Sequence, residues 1–224
     1  MSTIHITEDA LALLRRAVEK RITGRRFSHT LGVEKEIARL GKIYLPQNIP
    51  ALRAAALLHD ITKECSLEEQ LRLCRRFAIE PSRADRLSPK IFHAWTAACL
   101  IKEEFPAFAT AEITEAVEQH TPGMRGMSLF SKLLYLADYI EETRTFPDCV
   151  ALREAFWKPM ADLPPSERLP HLDRVLLKSF DLTINSLLAD GSVIAPATID
   201  TRNWIIEEFN THNGMRESQT NENK

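Results

Sequence analysis

Four histidines and two aspartates of this sequence sit where a packed helix gains nothing from them: His29, the adjacent pair His59 and Asp60, His93, His120 and Asp138. Each falls near the end of an apolar helical stretch or inside one. The stretch Ala51-Leu-Arg-Ala-Ala-Ala-Leu-Leu is apolar on nearly every face apart from Arg53, and it delivers His59, Asp60 and Lys63 at its end. A buried imidazole and carboxylate are expensive to desolvate without a partner, and a divalent cation accepts both. Adjacent residues reach one ion together only where the helix is ending. Four imidazoles with two carboxylates suit iron, manganese or zinc and would be unusual for magnesium alone. No thiolate joins the set, which argues against a structural zinc site.

The chemistry of such a centre is metal-assisted hydrolysis of a phosphoester or phosphoanhydride, in which the cation lowers the pKa of water to make a nucleophile. Three cationic residues stand close in sequence to receive phosphate. Lys63 lies three residues beyond Asp60, Arg144 six beyond Asp138, and Arg26 one turn before His29. Guanidinium forks suit bidentate contact with phosphate oxygens. Arg125, in the glycine-flanked turn after Pro122, is a lesser candidate. His5, His171 and His212 lie away from the buried helical segments or in the tail and read as ordinary histidines.

Helices must carry these residues. Residues 7 to 23 read as a helix capped by Thr7, with Glu8 and Asp9 in its first turn, Leu11, Leu14, Val18 and Ile22 at helical spacing, and Gly24 as its end. A second helix begins at Arg25, holds His29 in its first turn and finishes before Pro46. Pro50 starts the central helix. Ser66 and Glu69 form a capping box for the next, which ends before Pro81. Pro89 opens a helix with His93 early in it and Ile91, Trp95, Ala98 and Ile101 as its core stripe. Thr110 to His120 forms another, stopped by Thr121-Pro122-Gly123. Ser128 caps a run from Leu129 in which Asp138 is surrounded by apolar residues. Residues 147 to 158 and 167 to 189 add two more, the second ended by Asp190 and Gly191, and a last helix includes Thr201 to Ile206. No alternating strand pattern occurs. The expected fold is all-α, one helical bundle over residues 1–209 with the metal site between helices, followed by a disordered polar tail over 210–224.

Composition narrows the function classes. A chain of 224 residues with 44% hydrophobic and 27% charged residues has an ordinary soluble balance and buries a real core. Its net charge of −2 provides no global field for long nucleic acid, so any anion site is a local cluster. No apolar run approaches the roughly 20 residues of a membrane span. The start Met1-Ser-Thr-Ile-His-Ile lacks the basic and apolar regions of a secretory signal, and the expected location is cytoplasmic. Cys65, Cys74, Cys99 and Cys149 lack a C-x-x-C spacing and read as reduced core residues.

The order His, His-Asp, His, His, Asp across separate helices resembles the HD-domain metal-dependent phosphohydrolases. Four longer strings resemble the bacterial YqeK family of symmetrical diadenosine tetraphosphate hydrolases: Arg26-Phe-Ser-His29-Thr-Leu-Gly-Val33, Ala56-Leu-Leu-His59-Asp60-Ile-Thr-Lys63, Gln119-His120-Thr-Pro-Gly123 with Gly126-Met-Ser128, and Tyr135-Leu-Ala-Asp138-Tyr-Ile-Glu141 with Arg144. The resemblance covers about residues 10 to 205. It implies a single HD-domain bundle in which His29, His59, Asp60 and Asp138 hold a metal, iron in the first place with manganese, cobalt or zinc as alternatives. Asp60, Lys63, His93 and His120 become the catalytic group, with Asp60, His93 and His120 able to hold a second metal. The substrate side takes Arg26, His29, Thr62, Lys63, His93, His120, Thr121, Asp138 and Arg144.

Two features depart from the family pattern: His120 is followed by Thr121 instead of a second histidine, and His93 is followed by Ala94 and Trp95 instead of a small glycine-containing stretch. The implied reaction is midpoint cleavage of diadenosine tetraphosphate to two ADP. Other phosphohydrolase substrates, namely deoxynucleotides and cyclic dinucleotides, and a non-catalytic nucleotide sensor are the rival readings. The implied partner is a small nucleotide, with no long nucleic acid and no membrane, and a homodimer stays open. The segment from Gly191 to Arg202 resembles a C-terminal stretch of the family and is expected to close over the nucleotide.

Overall fold

Capping side chains fix where most helices begin. The hydroxyls of Thr7, Thr110 and Ser128 accept from backbone amides three residues on, and Ser66 with Glu69 completes the capping box. Pro50, Pro147 and Pro165 occupy first turns, where no amide hydrogen is needed. The computed structural model describes residues 6–221, with side chains through residue 211; His5 and the side chain of His212 lie outside the described residues. The elements are α1 (Glu8–Glu19), α2 (Gly24–Tyr44), α3 (Ile49–Leu58), α4 (Leu67–Arg76), α5 (Arg83–Arg86), α6 (Phe92–Glu104), α7 (Ala111–Gln119), α8 (Leu129–Ile140), α9 (Pro147–Met160), α10 (Pro165–Ala189) and α11 (Pro196–Asn221). No strand occurs among the described residues, so the all-α expectation holds.

Helix α3 is the axis of the bundle. Leu52 and the run Ala54 to Leu58 are fully buried, and α1, α2, α7 and α8 all pack on it. Three successive alanines let those neighbours close in, while each buried leucine contributes about 1.5–3 kcal/mol. The surrounding core is drawn from Ile37 and Leu40 of α2, Ile113 and Val117 of α7, and Leu133 and Leu134 of α8.

Several expectations differ in detail. Gly24 opens α2 instead of ending α1: α1 has already stopped at Glu19, and the Thr23 hydroxyl caps the new helix by accepting from the Arg26 amide. Trp95 is half-buried and packs on a small satellite cluster of Cys74, Ile91, Phe92 and Ala195, because α6 faces two ways and gives the main core Ala97, Ala98, Leu100 and Ile101. His171 is a buried residue of α10, stacked on Phe156 and bonded through Nε2 to its carbonyl.

Helix α11 continues to Asn221, so the backbone of 210–221 is helical where a non-periodic tail is expected. The four cysteines are unpaired, two buried and two half-buried. Among the described residues no helix is long and apolar enough to cross a membrane.

Candidate metal centre

Helix ends orient the histidines. The last carbonyls of a helix have no partner within it. His59, at the end of α3, directs Nδ1 to the Ala56 carbonyl at 2.6 Å, and His120, at the end of α7, directs Nδ1 to the Val117 carbonyl at 2.6 Å. His93, early in α6, bonds the Lys90 carbonyl of the preceding turn in the same way, also at 2.6 Å. His29 of α2 turns Nδ1 to the Glu141 carboxylate at 3.0 Å. With each Nδ1 engaged as a donor, all four rings aim Nε2 at one place.

Asp60 stands at that place, 2% exposed. Its two oxygens face different histidines. Oδ2 lies 3.4 Å from His59 Nε2 and 3.9 Å from His29 Nε2, and also accepts from Arg26 Nη1 at 2.9 Å. Oδ1 lies 3.3 Å from His93 Nε2 and 3.6 Å from His120 Nε2, atoms that are themselves 3.0 Å apart. Asp138 of α8 completes the His29 side, its Oδ1 3.0 Å from His29 Nε2 and 3.9 Å from His59 Nε2.

Two donor groups result, His29 with His59 and Asp138, and His59 with Asp60 and His120; within each, all ligand atoms lie within 4.8 Å of one another. His59 Nε2 and Asp60 Oδ1 are buried without a hydrogen-bond partner and belong to one donor group. An unsatisfied buried polar atom costs about 1–3 kcal/mol, and two in one group of ligand atoms fit a cation. The oxygen and imidazole donors match a divalent first-row ion.

The electrostatics agree. Burial opposes charge on Asp60, yet the facing imidazoles of His59, His120 and His93 hold its carboxyl well below the usual range. Burial likewise opposes charge on Asp138, and Arg144 and His29 outweigh it. Burial depresses His93 to about 4, helped by Lys63, and lowers His120 too, so both rings are neutral and keep a lone pair on Nε2. His29 goes the other way: burial pulls it down, but the Asp138 and Glu141 carboxylates lift it to about 9. Burial lowers Lys63 against the pull of Asp60 and Asp138.

The remaining expected residues divide. Lys63 Nζ reaches His93 Nε2 at 3.1 Å, and the Thr121 hydroxyl meets the same nitrogen at 3.1 Å. Arg144 follows the end of α8 and bonds both the carbonyl (2.5 Å) and the carboxylate of Asp138. Thr62 is 1% exposed and donates its hydroxyl to the His93 carbonyl at 2.8 Å, so it anchors α6. Arg125 is paired with Glu207 on the surface, away from the cluster. The segment from Gly191 to Arg202 packs against the elements that carry His93 and His120: the Val193 carbonyl accepts the Ser88 hydroxyl, Ala195 packs on Phe92, Thr201 lies against Gly123, and Arg202 pairs with Asp181.

Sequence reasoning gave Glu141 no role, although it closes the string Tyr135 to Glu141. A glutamate at a helix end reads as a solvated charge, yet its side chain is fully buried between His29 and the Thr143 amide and hydroxyl. The signal was Gly32, where an added Cβ would stand 2.2 Å from Glu141 Oε2.

The HD domain family model matches residues 26–143, a span that begins at Arg26 and contains all six clustered histidines and aspartates. The chain belongs to the HD domain family. This HD domain protein is 29% identical over 199 residues to the symmetrical bis(5'-nucleosyl)-tetraphosphatase of Bacillus subtilis, covering 89% of this chain and 97% of that one. The protein of the same name from Halalkalibacterium halodurans is 30% identical, with 85% and 94% covered. A crystal structure from Clostridium acetobutylicum, described as a predicted HD superfamily hydrolase involved in NAD metabolism, superposes with a TM-score of 0.76 at 29% identity, over 88% of this HD domain protein and 97% of that chain. Divalent metal binding is the property the HD domain and the donor groups share.

Proposed function

We propose that this HD domain protein is a metal-dependent hydrolase that splits diadenosine tetraphosphate symmetrically into two ADP. The observation that carries the reading is Asp60, whose two oxygens face separate histidine pairs with basic side chains on both sides. The names of the relatives support it.

His29, His59, Asp60 and Asp138 would hold the first ion in this reading, with iron the preferred occupant. Asp60, His120 and His93 offer a second set. A bound ion of this kind supplies Lewis acidity, lowering the pKa of water and offsetting phosphate charge. The chain's own groups do the rest. Arg26 and Arg144 take the phosphate bridge from the His29 side, and Asp138 keeps the Arg144 fork in position. Lys63 brings positive charge to the His93 side, where Thr121 also contacts the ring. Where no second ion takes them, the Nε2 lone pairs of His93 and His120 accept hydrogen bonds and so orient water. The leaving group is a nucleoside diphosphate, which departs without a strong general acid. Fixed charges aimed at the phosphate oxygens therefore supply most of the rate.

The test is metal analysis of anaerobically purified protein, with product identification from diadenosine tetraphosphate, dAMP, deoxynucleoside triphosphates, cyclic dinucleotides and NAD. Two ADP as the sole product of the preferred substrate supports the reading. NAD belongs in the panel because of the Clostridium acetobutylicum neighbour's description. Binding of ADP with no product from any substrate, under reducing and iron-loaded conditions, is the outcome that favours a sensor. A cytoplasmic location and a homodimer extend the same reading, and light scattering decides the second.

A further inference from the structure

The rings of the cluster form a row. Centroids are 5.5 Å apart from His29 to His59, 5.0 Å from His59 to His120 and 4.9 Å from His120 to His93. Two clefts reach this row, one at each end. The larger, about 610 Å³, includes His29 and is lined by Arg26, Arg144 and Phe146. The smaller, about 330 Å³, includes His93 and is lined by Lys63, Leu67, Pro89 and Lys90. Each cleft thus pairs cations with an exposed apolar surface: Phe146 is 63% and Leu67 51% exposed.

Isolated exposed apolar residues are common. These two are set apart by their place, beside cations at opposite ends of one cluster. Phe146 directly precedes Pro147, and Leu67 follows the Ser66 cap of α4, so both stand on fixed helix starts. An aromatic ring beside arginines is the kind of surface on which a nucleobase stacks while its phosphates are bound.

We propose that a dinucleoside polyphosphate lies along the row with one nucleoside in each cleft. One base stacks on Phe146 in the larger cleft, the other rests on Leu67 and Pro89 in the smaller, and the phosphate bridge runs between them past Arg26 and Lys63, the cations that flank the buried Asp60. This arrangement deepens the function proposed above and rests on it. It gives a physical reason for symmetric cleavage: the reacting cluster lies between two nucleoside sites, so the bridge is cut away from both ends.

The test compares diadenosine tetraphosphate with adenosine 5'-tetraphosphate, which has the same phosphates but one nucleoside, expected in the roomier cleft. Leu67→Asp places a negative charge in the smaller cleft at a first-turn position where aspartate suits the helix dipole, so the fold is kept. The expected result is a kcat/KM for diadenosine tetraphosphate reduced about tenfold more than that for adenosine tetraphosphate. Phe146→Ala is expected to lower both by about tenfold, the scale of a lost base–aromatic stack. Phe146→Trp, in metal-free protein, is expected to show quenching by ADP beyond that of the parent.

Equal losses on both substrates in Leu67→Asp, or no loss on either, would overturn the two-cleft arrangement. So would an unquenched Phe146→Trp. Failure of metal-loaded parent protein to split diadenosine tetraphosphate sinks the functional reading instead, and the quenching experiment reads the larger cleft independently of it.

Discussion

Glu141 reaches His29 only because residue 32 has no side chain. A Cβ at Gly32 would fall 2.2 Å from Glu141 Oε2, and Glu141 Oε1 is 3.0 Å from His29 Nδ1. The α2 backbone and the end of α8 therefore approach closely enough for the carboxylate to orient the imidazole. Glu141→Gln is expected to weaken metal binding about 10- to 100-fold, the usual cost of losing a carboxylate behind a ligating histidine. Gly32→Ala should do the same by displacing Glu141. Calorimetric metal titration with circular dichroism as the fold control measures both; normal affinity in Gly32→Ala would show that the close approach is not what aims His29.

Asp60→Ala should abolish turnover and most metal binding, because this one carboxylate faces both histidine pairs. Near-normal activity in that variant would end the proposal. Metal content measured on the same preparation separates loss of the ion from loss of chemistry.

His29 makes a pH prediction for the metal-free protein. Its folded value of about 9 lies above the ordinary 6.5, so the folded state binds more protons between those limits and stability falls as pH rises there. The contribution is complete below about pH 6.5 and gone once pH has passed 9. Urea midpoints of chelated protein should decline across this window, and the decline should shrink in His29→Asn. Metal entering at His29 Nε2 must displace the same proton. Titrations in buffers of different ionisation enthalpy should therefore report proton release near pH 8.

Lys63→Gln should lower kcat by about 10²–10³-fold, the range for removing a preorganised charge stabiliser, with metal content unchanged. Its ammonium contacts His93 at 3.1 Å and is not among the donor groups. Loss of bound metal in this variant would assign it a structural role.

Local chemistry made much of the molecule legible in sequence. Thr7, Ser66 and Ser128 cap their helices as their spacing predicts, because a cap is settled within four residues. Asp138 could be singled out since a carboxylate inside an apolar helix has no packing role. Gly24 was misread because a glycine fits a helix end as well as a start, and the Thr23 cap decides between them. Arg125 and Arg144 both stand in connections that follow a helix, but only Arg144 faces Asp138.

What the sequence determined by itself was the all-helical class, the helix ends and the six histidines and aspartates that such helices cannot bury alone. Only the tertiary structure decided which oxygen of Asp60 faces which imidazoles, that Thr62 is spent on a backbone carbonyl, and that Glu141 is buried behind His29. Helix propensity and caps depend on neighbours within a turn. Those pairings join residues up to 112 positions apart, and their geometry depends on how closely α2, α3, α6, α7 and α8 pack.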